Sequence, residues 1–221
     1  MKLRIFLSLF VFCWFLSASE VESGSIAGKV AVRQSKKAKR PARYHLGPYR
    51  SARRSDTQKS SGPQDVVIHL EGPGIKPATG SSDSTVKMLQ KDEAFVPHVL
   101  PVLAGTTVEF PNKDDFYHNV FSVMSGDRFD LGRYAKGGSA KAIFDKPGIV
   151  VVRCEIHSGM KAYIVVLETP HFTVPNTTGA FSLVDVPAGT YNLEAWHPNQ
   201  GRKQQTITVP ESGIVNVDIS F

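Results

Sequence analysis

The feature that most constrains this chain is a cysteine, a histidine and a methionine at three-residue spacing, directly after a predicted β-strand. In the strand that ends at Cys154, Val150 and Val152 share the face of the cysteine, because successive side chains of a strand point to opposite sides. His157 and Met160 follow within the next six residues, so a short loop gathers a thiolate, an imidazole and a thioether. A soft thiolate with nitrogen and thioether donors favours copper, whereas zinc prefers four strong ligands.

The remaining donor is predicted to come from an upstream strand. His118 lies in the short strand pattern of residues 116–122, where its imidazole can point into a sandwich interior. Two histidines and one cysteine with a weak axial methionine form the ligand set of a trigonal blue-copper electron-transfer site. We therefore predict one type 1 copper ion per chain, with His118, Cys154, His157 and Met160 as its ligands.

Residues 1–19 have the pattern of a secretory signal peptide. Lys2 and Arg4 precede an apolar run that ends at Leu16, and small residues suited to cleavage follow it. The run is short for a bilayer span, and an uncleaved membrane anchor is the alternative interpretation. We expect cleavage near residue 19 or 20 and a mature protein that is periplasmic or secreted.

Cleavage would leave Cys154 as the single cysteine, because the chain has two and the other is Cys13. An exported protein would then carry one unpaired thiol into an oxidising compartment. Metal ligation accounts for such a thiol, since a buried, metal-bound thiolate is masked from oxidation and exchange. The alternative is an inert cysteine that packs as a small apolar side chain. The donors at His118, His157 and Met160 favour ligation.

Four motifs resemble those of a cupredoxin of the plastocyanin and amicyanin group. In chain order they are Gly-Thr-Thr-Val-Glu-Phe-Pro-Asn at 105–112, His-Asn-Val at 118–120, Phe-Asp-Lys-Pro-Gly at 144–148 and Cys-Glu-Ile-His-Ser-Gly-Met at 154–160. The resemblance covers roughly residues 84–168, and the short ligand loop is most similar to that of amicyanin. It implies a Greek-key β-sandwich, in which we expect residues 125–138 to be a Gly-rich excursion covering one edge.

The resemblance also implies individual roles. His118, Cys154 and His157 would be equatorial ligands and Met160 the long axial ligand, and His157 would lie near the surface as the exit for electrons. Asn119 would tie the histidine strand to the cysteine loop by a hydrogen bond and so support the ligands. His98, at the start of a predicted strand, is a candidate extra ligand, and its alternative is a polar residue at a strand end.

A second β module is predicted around the first. The Gly-Ala-Phe-Ser-Leu-Val-Asp-Val-Pro-Ala-Gly-Thr-Tyr-Asn-Leu segment at 179–193 resembles a carboxypeptidase regulatory-like module, which is a small transthyretin-like β-sandwich. The C-terminal strands alone make a thin sheet, and the missing strands match the patterns at 28–30 and 66–70. We therefore predict that residues 24–78 and 169–221 form one discontinuous sandwich, with a cupredoxin domain at 84–168 inserted between them.

The expected fold class is thus all-β, a cupredoxin Greek-key sandwich plus a second, transthyretin-like sandwich. The apolar content of 41% over 221 residues suffices for the cores of two small domains. This joint architecture resembles bacterial proteins labelled methylamine-utilisation-like, from which we do not infer amine metabolism.

A basic segment interrupts the second module. Residues 33–59 hold ten Lys or Arg and one acid, which predicts a disordered basic insertion over residues 33–62. It suits an anionic membrane surface, a polyanion or an acidic redox partner, by screened attraction; the alternative is a tolerated flexible insertion. We expect no nucleic-acid partner, since the protein is predicted to be exported and no nucleic-acid-binding fold is recognisable.

The leading functional hypothesis is an exported one-electron carrier that works with a redox partner protein. The alternatives are a copper carrier or storage protein without redox traffic, and a copper-free interaction module that keeps the fold. We do not expect an enzyme, because enzymes of the cupredoxin superfamily need additional His-rich copper sites. The seven histidines of this chain include no His-x-His pair.

Overall fold

The computed structural model describes residues 23–33, 62–80, 85–123 and 128–221. The predicted signal peptide at 1–19 and nearly all of the predicted basic insertion lie outside these ranges. The regular secondary structure of the described residues is almost entirely β-strand, with a single short 3₁₀ turn at Pro63–Asp65 and no α-helix. None of them forms a helix of the length and apolarity required to cross a membrane. The all-β fold class predicted from the sequence is confirmed.

The strands are numbered along the chain. They are β1 (Ser23–Ala31), β2 (Val67–Glu71), β3 (Thr85–Lys87), β4 (Leu89–Lys91), β5 (Ala94–Val96), β6 (Val99–Leu103), β7 (Thr106–Pro111), β8 (His118–Ser122), β9 (Phe129–Tyr134), β10 (Ser139–Phe144), β11 (Gly148–Arg153), β12 (Lys161–Leu167), β13 (Phe172–Thr173), β14 (Ala180–Pro187), β15 (Gly189–His197), β16 (Gly201–Val209) and β17 (Ile214–Ser220).

Strands β3 to β12 build a sandwich. One sheet has the order β6-β12-β11-β8-β9, the other has the order β10-β7-β3, and β4 and β5 form a separate hairpin. Side chains from both sheets share one core, which includes Phe110 of β7, Phe144 of β10 and Ile164 of β12. Cys154 and Met160 belong to the same core, so the predicted ligand loop closes one end of this sandwich.

Strand β12 shows how the period-2 pattern works when both faces are covered. Ala162, Ile164 and Val166 enter the core of the sandwich, while Tyr163 and Val165 enter a separate cluster that contains Val67 of β2 and Trp196 of β15. Because each face meets apolar partners, the strand reads as a nearly continuous apolar run instead of an alternating one. This second cluster joins the sandwich to the strands around it.

The first two strands share two sheets with the last five strands. β1 lies between β14 and β17, antiparallel to the former and parallel to the latter. β2 lies between β13 and β15, with β16 beyond β15. These two sheets share a core that contains Ile26 of β1, Leu70 of β2, Leu193 of β15 and Ile219 of β17. The predicted domain division and transthyretin-like family remain predictions, which these pairings support.

Gly28 shows why β1 fits this place. A Cβ atom there would lie 1.7 Å from the backbone oxygen of Val217 in β17. The close approach of the two parallel strands therefore requires the glycine of the Gly-x-Val pattern.

Residues 125–138, predicted as a Gly-rich excursion covering one edge, contain a strand that was not predicted from the sequence. Phe129–Tyr134 forms β9, which pairs antiparallel with β8 and is the edge strand of the five-stranded sheet. Its apolar side chains Phe129, Leu131 and Tyr134 pack against the core. The signal was weak because the other face is solvated and Gly132 has a φ of +70°, which interrupts the strand pattern.

Candidate metal centre

Three of the four predicted ligands converge at one end of the sandwich. The Sγ atom of Cys154 lies 3.7 Å from Nδ1 of His118 and 3.7 Å from Nδ1 of His157. The two Nδ1 atoms are 3.0 Å apart. His118 and Cys154 are buried and His157 is half-buried, so the three donors form a compact triangle beneath the surface.

The triangle has the size that a single metal ion requires. First-row ions lie about 2.0 Å from imidazole nitrogen and about 2.3 Å from thiolate sulfur, so donors around one ion are about 3 to 3.7 Å apart. The observed separations of 3.0 and 3.7 Å fall in this range. A thiolate and two imidazoles are donors that suit copper. The residues present therefore fit the predicted ion.

The ends of two strands of one sheet position the donors. His118 is the first residue of β8, and Cys154 directly follows β11, which pairs with β8 through Arg153 and Phe121. From Cys154 the chain turns back to β12, and β12 pairs with β11. Because sheet pairing fixes both strand ends, the distance between the sulfur and the first imidazole is set by the backbone.

Backbone hydrogen bonds close the loop from Cys154 to Met160. The Met160 N–H donates to the carbonyl of His157 at 2.9 Å, and the Cys154 N–H donates to the carbonyl of Met160 at 3.3 Å. The Met160 side chain is 1% exposed and packs in the core that holds Cys154. The structure thus buries the predicted axial residue in the same core as the thiol.

A carboxylate that the sequence analysis missed holds the first histidine. Nε2 of His118 lies 2.8 Å from Oδ2 of Asp114, so the ring offers its other nitrogen, Nδ1, to the centre. The Asp114 carboxylate also accepts hydrogen bonds from the backbone N–H groups of Asp92, at 2.7 Å, and Glu93, at 3.0 Å. Such carboxylate–imidazole pairs fix the tautomer and orientation of a metal-binding histidine.

The electrostatics keep the carboxylate charged. Burial alone would raise the pKa of Asp114, but the hydrogen bonds from His118 and from the Glu93 and Asp92 backbone outweigh it and lower the pKa below its usual value. The pKa of His157 is lowered by burial and by the neighbouring His118. A neutral imidazole is the form that binds a metal, so both effects favour ligation.

Asn119 links the strand of the first histidine to the loop of the cysteine. Its Oδ1 accepts a hydrogen bond from the backbone N–H of Glu155 at 2.7 Å, and its Nδ2 lies 3.4 Å from Oδ1 of Asp130 in β9. Since Glu155 directly follows Cys154, this contact restrains the loop at the sulfur. It is the type of contact that the family resemblance implied for this residue.

An aromatic side chain lies over the two imidazoles. The ring of Phe116 is 5.1 Å, centroid to centroid, from each of the rings of His118 and His157. Phe116, Tyr117 and Ile156 are exposed at 40%, 58% and 41%. The half-buried His157 therefore packs against the exposed ring of Phe116.

The structure places His98 in a different environment. Its Nδ1 lies 3.0 Å from Oδ2 of Asp65, and its ring packs edge to face on Tyr163. Among the described residues, the group that could hold an ion at the loop contains His118, Cys154 and His157 without His98. The observed contacts are those of a polar residue next to the start of β6.

Asp114 had only a weak signal in the sequence. Its spacing of four residues from His118 would suggest a helix contact, and the segment between β7 and β8 is not helical. An Asx-rich turn ahead of the histidine was the available hint, because the Asp114 N–H donates to Oδ1 of Asn112 at 2.9 Å.

No protein-family model and no curated protein sequence matches the chain. Among solved structures it is similar to a Cu-containing nitrite reductase from Thermus scotoductus, at 30% identity and a TM-score of 0.37, over 45% of this chain and 25% of that one. It is also similar to a purple cupredoxin from Nitrosopumilus maritimus, at 20% identity and a TM-score of 0.33, over 38% of this chain and 99% of that one.

A reduced amicyanin mutant is a third such structure, at 21% identity and a TM-score of 0.35, over 44% of this chain and 98% of that one. The chain thus spans a quarter of the nitrite reductase and nearly all of the two smaller proteins. These structural neighbours include cupredoxins, at low identity and coverage. With TM-scores below 0.5 they establish no shared function.

Proposed function

We propose that this protein is an exported type 1 copper protein that carries one electron at a time. The observation that supports it most is the triangle of Cys154 Sγ, His118 Nδ1 and His157 Nδ1, with separations of 3.0 to 3.7 Å. Copper bound there would supply a one-electron couple between Cu(II) and Cu(I). The ligand set of one thiolate and two imidazoles, with a buried thioether at Met160, suits both charge states.

The task of the polypeptide in this proposal is to keep the donors in place while the charge changes. Asp114 holds the His118 ring from behind, and Asn119 holds the chain at Glu155. Both contacts are made by groups of the polypeptide itself, which favours donors that are arranged before loading. Little then has to rearrange when an electron arrives or leaves, which is what a carrier requires.

The same proposal places a redox partner protein at the exposed side of His157. The exposed ring of Phe116 packs beside that ring, and Tyr117 and Ile156, each adjacent in sequence to a predicted ligand, are exposed too. An apolar patch around a partly exposed ligand allows close approach without a strong, slowly dissociating interface, as transient electron-transfer contacts need. We expect no catalytic turnover of a substrate at this centre.

The other parts of the proposal rest on the sequence. Export to the periplasm or beyond follows from the signal-peptide pattern of residues 1–19. The basic residues of 33–59 are proposed to bring the protein to an anionic surface or an acidic partner. The β1–β17 pairing supports a second, discontinuous sandwich that carries this segment.

The test is addition of Cu(II) to the purified mature chain, with the Cys154→Ser and His171→Ala variants in parallel. We expect one copper per chain and an intense blue colour in the wild type, with a reversible one-electron reduction. The Cys154→Ser variant should lose the intense absorption because it lacks the thiolate. His171→Ala is the matched control, since His171 lies outside the donor triangle, and it should stay blue.

Two results would contradict the proposal. Pale binding with a preference for Cu(I) would indicate a copper carrier or storage protein. Absence of stoichiometric copper in the wild type would leave an interaction module that uses the fold without the ion.

A further inference from the structure

A second set of donor side chains lies on one face of another sheet. His69 and Glu71 are two residues apart on β2, so their side chains point to the same side. Glu194 of β15 is the direct antiparallel partner of His69, and directly opposed residues share a face. The register of β2 against β15 therefore places an imidazole and two carboxylates side by side.

The distances match a common ion. Nε2 of His69 lies 3.1 Å from Oε1 of Glu71, and one donor atom from each of the three side chains lies within 4.8 Å of the others. Two donors at about 2.0 to 2.2 Å from one ion are roughly 3 Å apart, so the first pair needs no rearrangement. The Glu194 carboxylate lies within 4.8 Å of both other donors.

Two of the three side chains in this group are buried, which is unusual for an ion pair at a protein surface. The residues His69 and Glu194 are 5% and 3% exposed. Nδ1 of His69 is buried and has no hydrogen-bond partner among the described residues. A buried polar atom without a partner is costly, and a buried carboxylate is kept charged by pairing or by a metal. The protein thus leaves the His69 ring only partly satisfied, and the ring nitrogen that faces the carboxylates is Nε2.

Neighbouring contacts orient the carboxylate of Glu194. Gln204 donates from Nε2 to Oε2 of Glu194 at 2.6 Å, and Nε of the exposed Arg202 is 3.5 Å from Oε1. Outer hydrogen bonds of this type hold metal-binding carboxylates. The single guanidinium does not neutralise the site, because Glu71, Glu168 and Glu194 line the same cavity. Three carboxylates and one guanidinium leave a formal charge of −2.

The cavity gives the group access to solvent. Its volume is about 410 Å³, and the donor side chains His69, Glu71 and Glu194 form part of its wall. Apolar side chains of the neighbouring sandwich form another part, including Ile149 of β11 and Val165 of β12. A ligand can therefore enter from solvent, and a bound cation would keep positions open toward a partly apolar space.

We propose that His69, Glu71 and Glu194 form a second cation site, for a divalent first-row ion such as Zn²⁺. One imidazole and two carboxylates are borderline-to-hard donors without a thiolate, which suits Zn²⁺ or Mn²⁺ and disfavours Cu(I). The site offers three protein ligands, so water or a ligand from the cavity completes the coordination, as in open zinc sites. It is separate from the candidate copper centre and does not depend on it.

The test uses the full mature chain in a Cys154→Ser background, stripped of metal and titrated with Zn²⁺ by calorimetry. This background removes the thiolate of the first centre, so the result does not depend on copper binding. The Glu71→Gln and the Glu71→Gln/Glu194→Gln proteins are compared with it. Glu168→Gln is the matched control, because Glu168 is an exposed carboxylate of the same cavity outside the triad.

We expect the background protein and Glu168→Gln to show the same Zn²⁺ binding event. Glu71→Gln should weaken it by roughly 10- to 100-fold or more, and the double variant should abolish it. Glu71 is exposed, with 56% of its side chain accessible, so Glu71→Gln is expected to fold, and its thermal unfolding without metal verifies this. In Co²⁺-loaded background protein, visible d–d bands should weaken with the same variants.

The inference is overturned by absence of Zn²⁺ binding in the background protein. It is equally overturned by an unchanged isotherm in Glu71→Gln and in the double variant, since any observed binding would then be at another place. A negative result here leaves the copper proposal intact, because the blue colour is measured on the chain that retains Cys154.

Discussion

Replacing Asp114 by alanine removes the acceptor behind the first histidine, and we expect it to destabilise the metal-free protein by about 3 kcal/mol. The carboxylate accepts three hydrogen bonds, from His118 and from the backbone N–H groups of Asp92 and Glu93. His118 is 0% exposed, so its ring nitrogen would be left buried without this acceptor, at a cost of about 1–3 kcal/mol. The other two donors are closer to solvent and would contribute about 1 kcal/mol together.

The loss of stability in Asp114→Ala has a second component, in the turn between β4 and β5. Asp92 and Glu93 both have φ values of 55°, a conformation that costs side-chain-bearing residues energy unless other contacts hold it. Asp114 binds both N–H groups of this turn. The alanine variant should therefore loosen the hairpin as well as the histidine, and amide hydrogen exchange should rise at both residues.

Urea unfolding at pH 7 measures the stability difference, and competition with a copper chelator measures affinity. We expect an unchanged m-value and copper affinity lowered by roughly 10- to 100-fold. The matched control is Asp115→Ala. Its carboxylate is 81% exposed and pairs with Lys136 at the surface, which stabilises by about 0–1 kcal/mol. If Asp114→Ala destabilised the protein no more than Asp115→Ala, the reasoning from the buried acceptor would be refuted.

Three further predictions concern other parts of the molecule. Asn119→Ala should raise hydrogen exchange at the Glu155 amide and lower the free energy of unfolding in urea by about 1 kcal/mol. Asn119→Asp keeps an acceptor, so the Glu155 amide should stay protected from exchange. Equal exchange in both variants would contradict the hydrogen bond from Glu155 to Asn119. Burial lowers the pKa of His197, so as pH falls below about 6.5 the unfolded state takes up the proton first and the free energy of unfolding drops. The urea midpoints at pH 7.5 and pH 5 should therefore differ less in His197→Gln than in the wild type. An identical difference in the two proteins would contradict this role of His197. Gly28→Ala places a Cβ atom 1.7 Å from the Val217 oxygen and should lower the free energy of unfolding by several kcal/mol, about as much as a severe core substitution. The control Lys29→Ala should change it by less than about 0.5 kcal/mol. A mild effect of Gly28→Ala would argue against the β1–β17 pairing.

The candidate centre divides into local and non-local parts. Cys154, His157 and Met160 lie within one loop, and the alternation of Val150 and Val152 tells which way the cysteine points. These features are set by neighbouring residues, so the sequence could identify them. His118 was reached by donor chemistry, and the structure adds the separations of 3.0 and 3.7 Å. The identity of the ion remains a prediction.

Contacts between segments far apart in the chain could not be predicted from the sequence. The pairing of His98 with Asp65 depends on how β6 lies against the segment before β2. The alternation of side chains along a strand places His69 and Glu71 on one face of β2. The position of Glu194 opposite His69 depends in addition on the register of β15 against β2. A register shift of one residue would have moved Glu194 to the other side of the sheet.

The sequence by itself determined an all-β chain and a loop whose donor atoms suit copper, because strand alternation and ligand chemistry act over a few residues. Only the tertiary structure decided which carboxylate supports His118, that residues 129–134 are an edge strand, and that one cavity is lined by an imidazole, a buried carboxylate and an exposed carboxylate. Those features depend on registers and close approaches between segments far apart in the chain, and such distances are fixed only when the sheets pack together.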